Sequence, residues 1–471
     1  DIHSAEIISL AKQMAGNRTM ISVSWSLTRQ DHGEQPFWAA ITVAAMLGQI
    51  GLPGGGFGFG YSATNYIGGQ FTVPPAQAFP QGKNNVTNFI PVARISDLLL
   101  NPGKLFEFNG QEYEYPETKI VYWAGGNPFH HHQDLNRLMD AWKKPDTIIS
   151  NEWCWNSLAK RSDIILPCTT TLEREDIALT PRDPFIVLMS KLTEPHGQSR
   201  DDFEIFRGIA KVMGVEQSFT DGYSPEKWRR WIYEETRKKA SQAELEMPTY
   251  EKFVKDGWFK FKTPKEPIIM MKDFRNDPIK NRLETPSGKI EIFSKTVARF
   301  NYDDCPGHPI WIEPCEWLGK NKPSYPLHLI SNQPKNKLHS QLDHGSYSQA
   351  SKINGREPVH MHPADAQARG LKGGEIVEVF NARGACIAAL KIDSNLRKSV
   401  IQMSTGAWYD PEDPEIENST CKNGNPNVLT PDKGTSKLGQ GPIAHSCLVD
   451  VKRAKGSQPP VTAYKPPEII R

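Results

Sequence analysis

Apolar residues recur along the chain at two spacings, and the change from one to the other divides it. In residues 4–15 (SAEIISLAKQMA), Ile7, Ile8, Leu10, Ala11 and Met14 fall at helical intervals, and Gly16 follows as a stop. Residues 20–25 (MISVSW) read as a buried strand. Residues 35–50 (QPFWAAITVAAMLGQI) read as a mostly apolar, buried helix that ends in the glycine-rich turn 51–56. Residues 57–92 are rich in Gly, Asn, Thr and Pro and predict a long loop, a kind of segment that is often functional. Further on, 119–124 (KIVYWA), 147–150 (TIIS) and 163–166 (DIIL) are strands, with a helix at about 133–143 and another between the second and third strands. This alternation predicts an α/β region with a parallel sheet. Ligands of such sheets bind beyond the carboxyl ends of the strands. Those ends here carry Gly125-Gly126-Asn127, Ser150-Asn151-Glu152 and Pro167-Cys168-Thr169. Residues 240–280 are polar and broken by prolines, and look like a connecting excursion. From Leu327 the spacing becomes that of strands, at 328–331, 375–382, 386–392, 399–403 and 447–452, which predicts a C-terminal all-β barrel with an extended tail.

Length and charge narrow the classes. The chain has 471 residues, a soft prior for roughly three domains. The 56 basic and 54 acidic residues leave a formal charge of +2 and are interspersed, which argues against a nucleic-acid binder. No run of about 18 apolar residues marks a transmembrane helix. The seven cysteines are scattered without a CxxC pair, so zinc ribbons, cysteine-ligated clusters and thioredoxin-type motifs lack support. The sequence begins Asp-Ile-His-Ser, with no initiator Met and no visible secretory signal, and is expected to have lost a leader or to be a fragment.

Six segments carry candidate chemistry. Residues 25–34 (WSLTRQDHGE) lie between a strand and a helix, where free backbone N–H groups and Arg29 suit a phosphate; an ordinary strand–helix loop with a surface Arg is the plainer alternative. Gly125-Gly126-Asn127 lets the backbone approach a dinucleotide, although GxGxxG is missing. His130, His131 and His132 point in different directions on a helix, so one histidine bonding a ligand is a better reading than a shared ion. Residues 173–176 (ERED) read as a solvated turn, and 198–203 (QSRDDF) as a helix start with capping carboxylates. Residues 331–341 (SNQPKNKLHSQ) follow a strand with a dense polar run, and 423–427 (NGNPN) with 439–441 (GQG) combine turn chemistry with candidate contacts.

Taken in order, these segments resemble the molybdopterin-dependent oxidoreductases of the dimethyl sulfoxide reductase family, in the branch of trimethylamine N-oxide, dimethyl sulfoxide and biotin sulfoxide reductases. The resemblance is carried by WSLTRQDHGEQPFWAAITVAAMLGQIGLPGGGFGFGY, GGNPFHHHQDLNRL, SDIILPCTTTLERED, ETPSGKIEIFS, HPADAQARGLKGGEIVEVFNARG and GNPNVLTPDKGTSKLGQG, and covers nearly the whole chain. It implies parallel-sheet dinucleotide-binding domains followed by the barrel: residues 1–115 as part of an α/β domain, 116–320 as a dinucleotide-binding-like domain, and 321–471 as the molybdopterin dinucleotide-binding barrel. It implies a bis(molybdopterin guanine dinucleotide) cofactor with one molybdenum, contacted by Trp25, Ser26, Arg29, Asn127, His131, Asn151, Glu152, Arg174, Asp202, Ser331, Asn332, Gln333, Pro334, His339, Asn423, Gln440 and Gly441. The position of Glu152 is often Asp in the family, and Asn332-Gln333 departs from an Arg-His of some relatives.

The resemblance further implies removal of oxygen from an S-oxide or N-oxide. Aromatic residues near 57–72 are expected to shape the substrate funnel. The molybdenum ligand of this branch is a serine expected before residue 1, so no residue of this chain is assigned to the metal and the chain alone is expected to be inactive. An electron donor such as a multihaem cytochrome c and a periplasmic location are implied. The alternatives are a cytoplasmic biotin or methionine sulfoxide reductase, and a non-catalytic cofactor-binding fragment that needs a partner chain.

Overall fold

The computed structural model describes residues 2–61, 67–69, 76–180, 184–262 and 266–468. It divides into two compact units that interleave along the sequence. The first comprises Asp1–Trp25, Ala39–Val86 and Leu166–Ile292; the second comprises Ser26–Trp38, Thr87–Ile165 and Phe293–Arg471.

In the first unit the helix Ser4–Gly16 forms as its spacing predicts, and the strand Met20–Val23 follows. Its partner lies in the segment expected to be loop: Gly56–Phe59 pairs with it in parallel, Met20 opposite Gly56 and Val23 opposite Phe59. Two glycines in four residues lower the strand signal, but they admit a close neighbour. A Cβ on Gly58 would stand 3.2 Å from the Met20 sulfur. Of the loop expected to shape a funnel, residues 62–66 and 70–72 lie outside the described residues. The apolar helix forms as Glu34–Met46 but is less buried than expected, with Val43 and Met46 exposed. It is apolar all round, so any side not covered by a neighbour presents apolar atoms.

The stretch 240–280 is more than a connector. Trp258–Lys260 adds a third strand to the antiparallel pair Asp176–Leu179 and Phe185–Met189. Ile186, Tyr233, Phe253 and Phe261 pack beneath this sheet as a small core. The long helix Pro225–Gln242 starts at Ser224, whose hydroxyl accepts from the Lys227 N–H, with Pro225 at the first helical position.

In the second unit the strand Ile120–Ala124 pairs in parallel with Thr147–Glu152, Ala124 opposite Asn151. Ile164–Pro167 completes the three-stranded sheet and straddles the boundary between the units. The crossover helix Leu135–Trp142 buries Leu135, Leu138, Ala141 and Trp142 at i, i+3, i+6 and i+7. The second crossover is only a 3₁₀ turn, Ala159–Arg161, where a helix was expected. Asn156 Oδ1 accepts from both Leu158 and Ala159 N–H groups, and the short span leaves no room for further turns.

The C-terminal segment closes into a six-stranded barrel. Its order is Leu327–Ile330, Val400–Met403, Pro358–Met361, Gly384–Ile392, Ile376–Asn381 and Leu448–Arg453, returning to the first. Closure removes the exposed edges. Strands read correctly from alternation include Ile376–Asn381, whose Val377 and Val379 face inward. Pro358–Met361 was not anticipated, since a leading proline and the polar His360 leave only two apolar residues in a four-residue run. Short helices Ser346–Gln349 and Pro363–Ala368 interrupt the strands, so the region is not purely β. The tail beyond the last strand is extended as expected, but it is tied down at several points.

Leu329 is fully buried in the barrel and Leu338 is exposed on a loop. Leu329→Ala is expected to lower the unfolding free energy by about 2–5 kcal/mol, and Leu338→Ala to change it by less than about 0.5 kcal/mol, measured by urea denaturation.

Candidate functional site

The turn after the first sheet strand of the second unit is set by backbone geometry. Gly125 and Gly126 have φ of +76° and +78°, which side-chain-bearing residues adopt only under strain. Asn127 then caps the short helix Pro128–His131, its Oδ1 accepting from the Phe129 N–H at 3.0 Å. Its other amide atom, Nδ2, is buried and lacks a hydrogen-bond partner among the described residues.

The three consecutive histidines diverge. His130 meets the Ser157 hydroxyl at 3.0 Å and stacks on Trp408, with centroids 5.5 Å apart. His132 meets Ser96 Oγ at 3.1 Å and stands 3.7 Å from Asp432. His131 lies in the electrostatic neighbourhood of Arg29 and His339, two residues predicted with it. Burial, reinforced by the charges of His132, His339 and Arg29, pushes the His131 imidazole down to about 4. Burial likewise takes His130 to about 3. Both rings are therefore neutral near pH 7. No group of three or more His, Cys, Asp or Glu side chains among the described residues is placed to hold a metal ion.

Three further segments of the second unit carry predicted residues. Asn151 and Glu152 are the buried last residues of the strand Thr147–Glu152, and the Tyr122 hydroxyl donates to Asn151 Oδ1 at 2.9 Å. Ser331 to Pro334 leave the barrel strand Leu327–Ile330. Ser331 Oγ and Asn332 Oδ1 are buried and also lack partners among the described residues. Gln333 is exposed and Pro334 buried. His339 is exposed, with a left-handed φ of +52°. Its carbonyl is so close to Gly406 that a Cβ there would stand 1.9 Å from the oxygen.

Arg29 follows the 3₁₀ turn Trp25–Thr28, which contains Ser26, and its carbonyl accepts from the His445 N–H at 2.8 Å. Asn423 is fully buried within a network of side chains, donating to the Trp408 carbonyl at 2.9 Å. Gly441 folds back on its own loop, whereas the Gln440 side chain reaches a distant segment. The Gln440 amide donates to the Glu107 carbonyl, and the Gly441 N–H donates to Thr435 Oγ1.

Trp25, Arg174 and Asp202 belong to the first unit. Trp25 packs edge-to-face on Phe59 at 5.3 Å. Arg174 and Asp202 line one recess of about 280 Å³ together with Phe203, Trp228 and Arg229. Here the ERED turn is more built than solvated. Glu173 is buried and accepts from the Thr170 and His196 N–H groups. The helix start at 198–203 forms with Asp201 at the cap position, but its carboxylate accepts from the Thr169 hydroxyl rather than from the helix.

Sequence reasoning passed over Asp343, Trp408 and Tyr464, which surround Asn423. None stands in a recognisable motif; Asp343 and Trp408 are buried and Tyr464 is half-buried.

The comparisons with known proteins follow this geometry. The family model described as Molybdopterin oxidoreductase matches residues 4–212, and that described as Molydopterin dinucleotide binding domain matches 327–448. The chain belongs to the molybdopterin oxidoreductases of the dimethyl sulfoxide reductase family. It is 46% identical over 454 residues to a biotin sulfoxide reductase of Cereibacter sphaeroides, covering 96% of this chain and 60% of that one. It is 42% identical over 486 residues to a trimethylamine-N-oxide reductase of Haemophilus influenzae, covering 98% and 58%. A dimethyl sulfoxide/trimethylamine N-oxide reductase of Cereibacter sphaeroides is 41% identical over 478 residues, again covering 98% and 58%. The chain thus spans about three-fifths of the length of these curated relatives. Among solved structures, the acetylene hydratase of Pelobacter acetylenicus shares the fold, with a TM-score of 0.54 at 19% identity over 72% of this chain and 45% of that one.

The depressed histidines set a pH dependence. The unfolded chain takes up protons on His130 and His131 near pH 6.5, whereas the folded chain resists until about pH 4 or below. The unfolded state then binds more protons, so these groups lower stability as pH falls from 6.5 to 4. Asp432 and Asp343, held near 2, act in a separate window below about pH 4. His131→Gln is expected to flatten the slope of unfolding free energy between pH 6.5 and 4 by up to about 1.4 kcal/mol per pH unit, read from denaturation at several pH values.

Proposed function

We propose that this chain binds bis(molybdopterin guanine dinucleotide) and belongs to a reductase that removes the oxygen atom from an S-oxide or N-oxide. The observation that carries the reading is the set of buried polar atoms without partners among the described residues at the predicted positions: Asn127 Nδ2, Ser331 Oγ and Asn332 Oδ1. Each unpaired group costs about 1–3 kcal/mol unless a ligand completes it. Together they offer a donor, a hydroxyl and an acceptor, which suits a polar dinucleotide rather than an apolar ligand.

The roles of the residues follow from their chemistry. Arg29 supplies a permanent cation with several N–H donors for phosphate oxygens. His131, kept neutral beside it, offers one N–H donor and one acceptor without adding charge. Asn151 and Glu152 end a strand, and their amide and carboxylate suit hydrogen bonds to a ribose or a base edge. Arg174 and Asp202 bring a cation and a carboxylate to a recess that Phe203 and Trp228 also line. When bound, the molybdenum cofactor supplies the two-electron chemistry of oxygen-atom transfer, while the protein orients it and excludes water.

The proposed setting is periplasmic, with an electron donor such as a multihaem cytochrome c. Among the described residues no helix is long and apolar enough to cross a membrane. The 46% identity to a biotin sulfoxide reductase favours a second reading, a biotin or methionine sulfoxide reductase of the same branch.

The test is cofactor retention. The chain is purified from a host that makes the cofactor, and guanine nucleotide released by acid hydrolysis is quantified with molybdenum on the same sample. A pair of guanine nucleotides per chain is expected. Arg29→Ala is expected to reduce retention about tenfold, the loss of one charge-assisted bond. A wild-type chain from such a host that carries no guanine nucleotide overturns the proposal.

A further inference from the structure

Four charged side chains are buried together in the second unit. Lys337 and Lys352 are each 1% exposed, Asp343 0% and Glu357 4%. Lys337 stands 2.8 Å from Asp343 and 3.4 Å from Glu357; Lys352 stands 3.5 Å and 3.3 Å from the same two. The quartet is neutral as a whole. Burial works against the Asp343 charge, but Lys352 and Lys337 outweigh it and hold the carboxyl at about 2.

Asp343 is the hub, and its partners come from segments that carry predicted site residues. Lys337 lies two positions before His339. Asp343 Oδ2 accepts from the Trp408 N–H at 3.1 Å and faces Asn423 Nδ2 at 3.4 Å. Trp408 in turn stacks on His130, the neighbour of His131. Gly406 is wedged against the His339 carbonyl and Lys337 Cε, so the loops bearing Lys337–His339 and Trp408 are interlocked.

The remaining partner arrives from the far end of the chain. The Tyr464 hydroxyl donates to Asp343 Oδ2 at 2.7 Å and lies within 3.4 Å of Asn423. Burial and the Asp343 charge push this hydroxyl far up, so it stays a donor. The segment that carries it is fastened throughout. Arg356 donates to the Pro459 carbonyl. Asp410 accepts from the Thr462 N–H and hydroxyl at 2.7 and 2.8 Å. Lys160 donates to the carbonyls of Thr462 and Ala463.

We propose that residues 459–464 form a strap, and that Tyr464 is a positioning residue which fixes, through Asp343 and the buried Asn423, the loops that present His339 and His131 to the cofactor. The cofactor part rests on the function proposed above; the effect on the loops does not. A buried ion cluster adds little net stability over apolar packing, but it admits few alternative arrangements, which suits a part whose task is geometry.

The test compares the full-length wild type, Tyr464→Phe, and a protein carrying p-aminophenylalanine at position 464, which restores a donor. Hydrogen exchange is measured without cofactor. Tyr464→Phe is expected to speed exchange in residues 336–345 and 405–410 at least tenfold, while the strands Ile376–Asn381 and Gly384–Ile392 keep their protection. The amino variant is expected to restore at least half of the loss. Unchanged exchange in those loops, acceleration confined to 458–465, or uniform acceleration across the barrel each overturns the strap. Guanine dinucleotide retention is then measured, with loss from Tyr464→Phe expected about fivefold faster than from wild type. Equal loss from both overturns the positioning role toward the cofactor. A wild type that holds no guanine nucleotide overturns the function proposed above together with that role, and the exchange result still decides the strap.

Discussion

Two buried asparagines hold the helix that bears the divergent histidines. Asn425 Nδ2 donates to the Phe129 carbonyl at 3.0 Å, and Asn427 Nδ2 to the His130 carbonyl at 3.1 Å. Helix Pro128–His131 is a single turn, too short to persist alone. Its carbonyls are buried and need partners. The asparagines supply them from the segment that follows Asn423, and the Asp134 N–H returns a bond to the Thr430 carbonyl. The orientation of Asn127 and His131 therefore depends on these bonds, reached across almost three hundred residues of sequence.

Around that contact the second unit uses buried charge to fix geometry. Asp432 gathers Arg94, Arg137 and His132, while Asp97 closes the ring with both arginines. Burial opposes the Asp432 charge, yet the His132 bond and the arginines hold its carboxyl at about 2. Arg383 makes a two-pronged contact with Glu316. Such clusters contribute modest net stability, because desolvation offsets much of the attraction. They do penalise any loop arrangement that leaves one partner alone. Together with the Asp343 cluster, they fix the polar loops against the barrel, whose core is continuous with Phe129, Tyr409 and Leu429.

Much of the fold was legible because it rests on local pattern. The helix Ser4–Gly16, the strands Ile120–Ala124 and Thr147–Glu152, and the alternating barrel strands all follow periodicity. The misses have local causes. Glycine in Gly56–Phe59 concealed a strand, the short span before Ile164–Pro167 left room for only a 3₁₀ turn, and the aromatic residues of 240–280 proved to belong to a core. The divergence of His130, His131 and His132 was legible, since consecutive helical positions face different ways. Their partners, Ser157, Ser96 and the neighbourhood of Arg29, were not.

The sequence by itself determined the strongly periodic elements, the barrel's alternation, the glycine turn before Asn127 and membership of the family, because each depends on residues close together or on motifs in fixed order. Only the tertiary structure decided that Asn423, read as turn chemistry, lies fully buried beside Asp343, Trp408 and Tyr464. It alone decided which amide and hydroxyl atoms of Asn127, Ser331 and Asn332 lack partners among the described residues. Hydrogen bonds and buried ion pairs join residues by distance in space, and their worth is set by how much water the rest of the fold excludes. Neither quantity is written in local spacing.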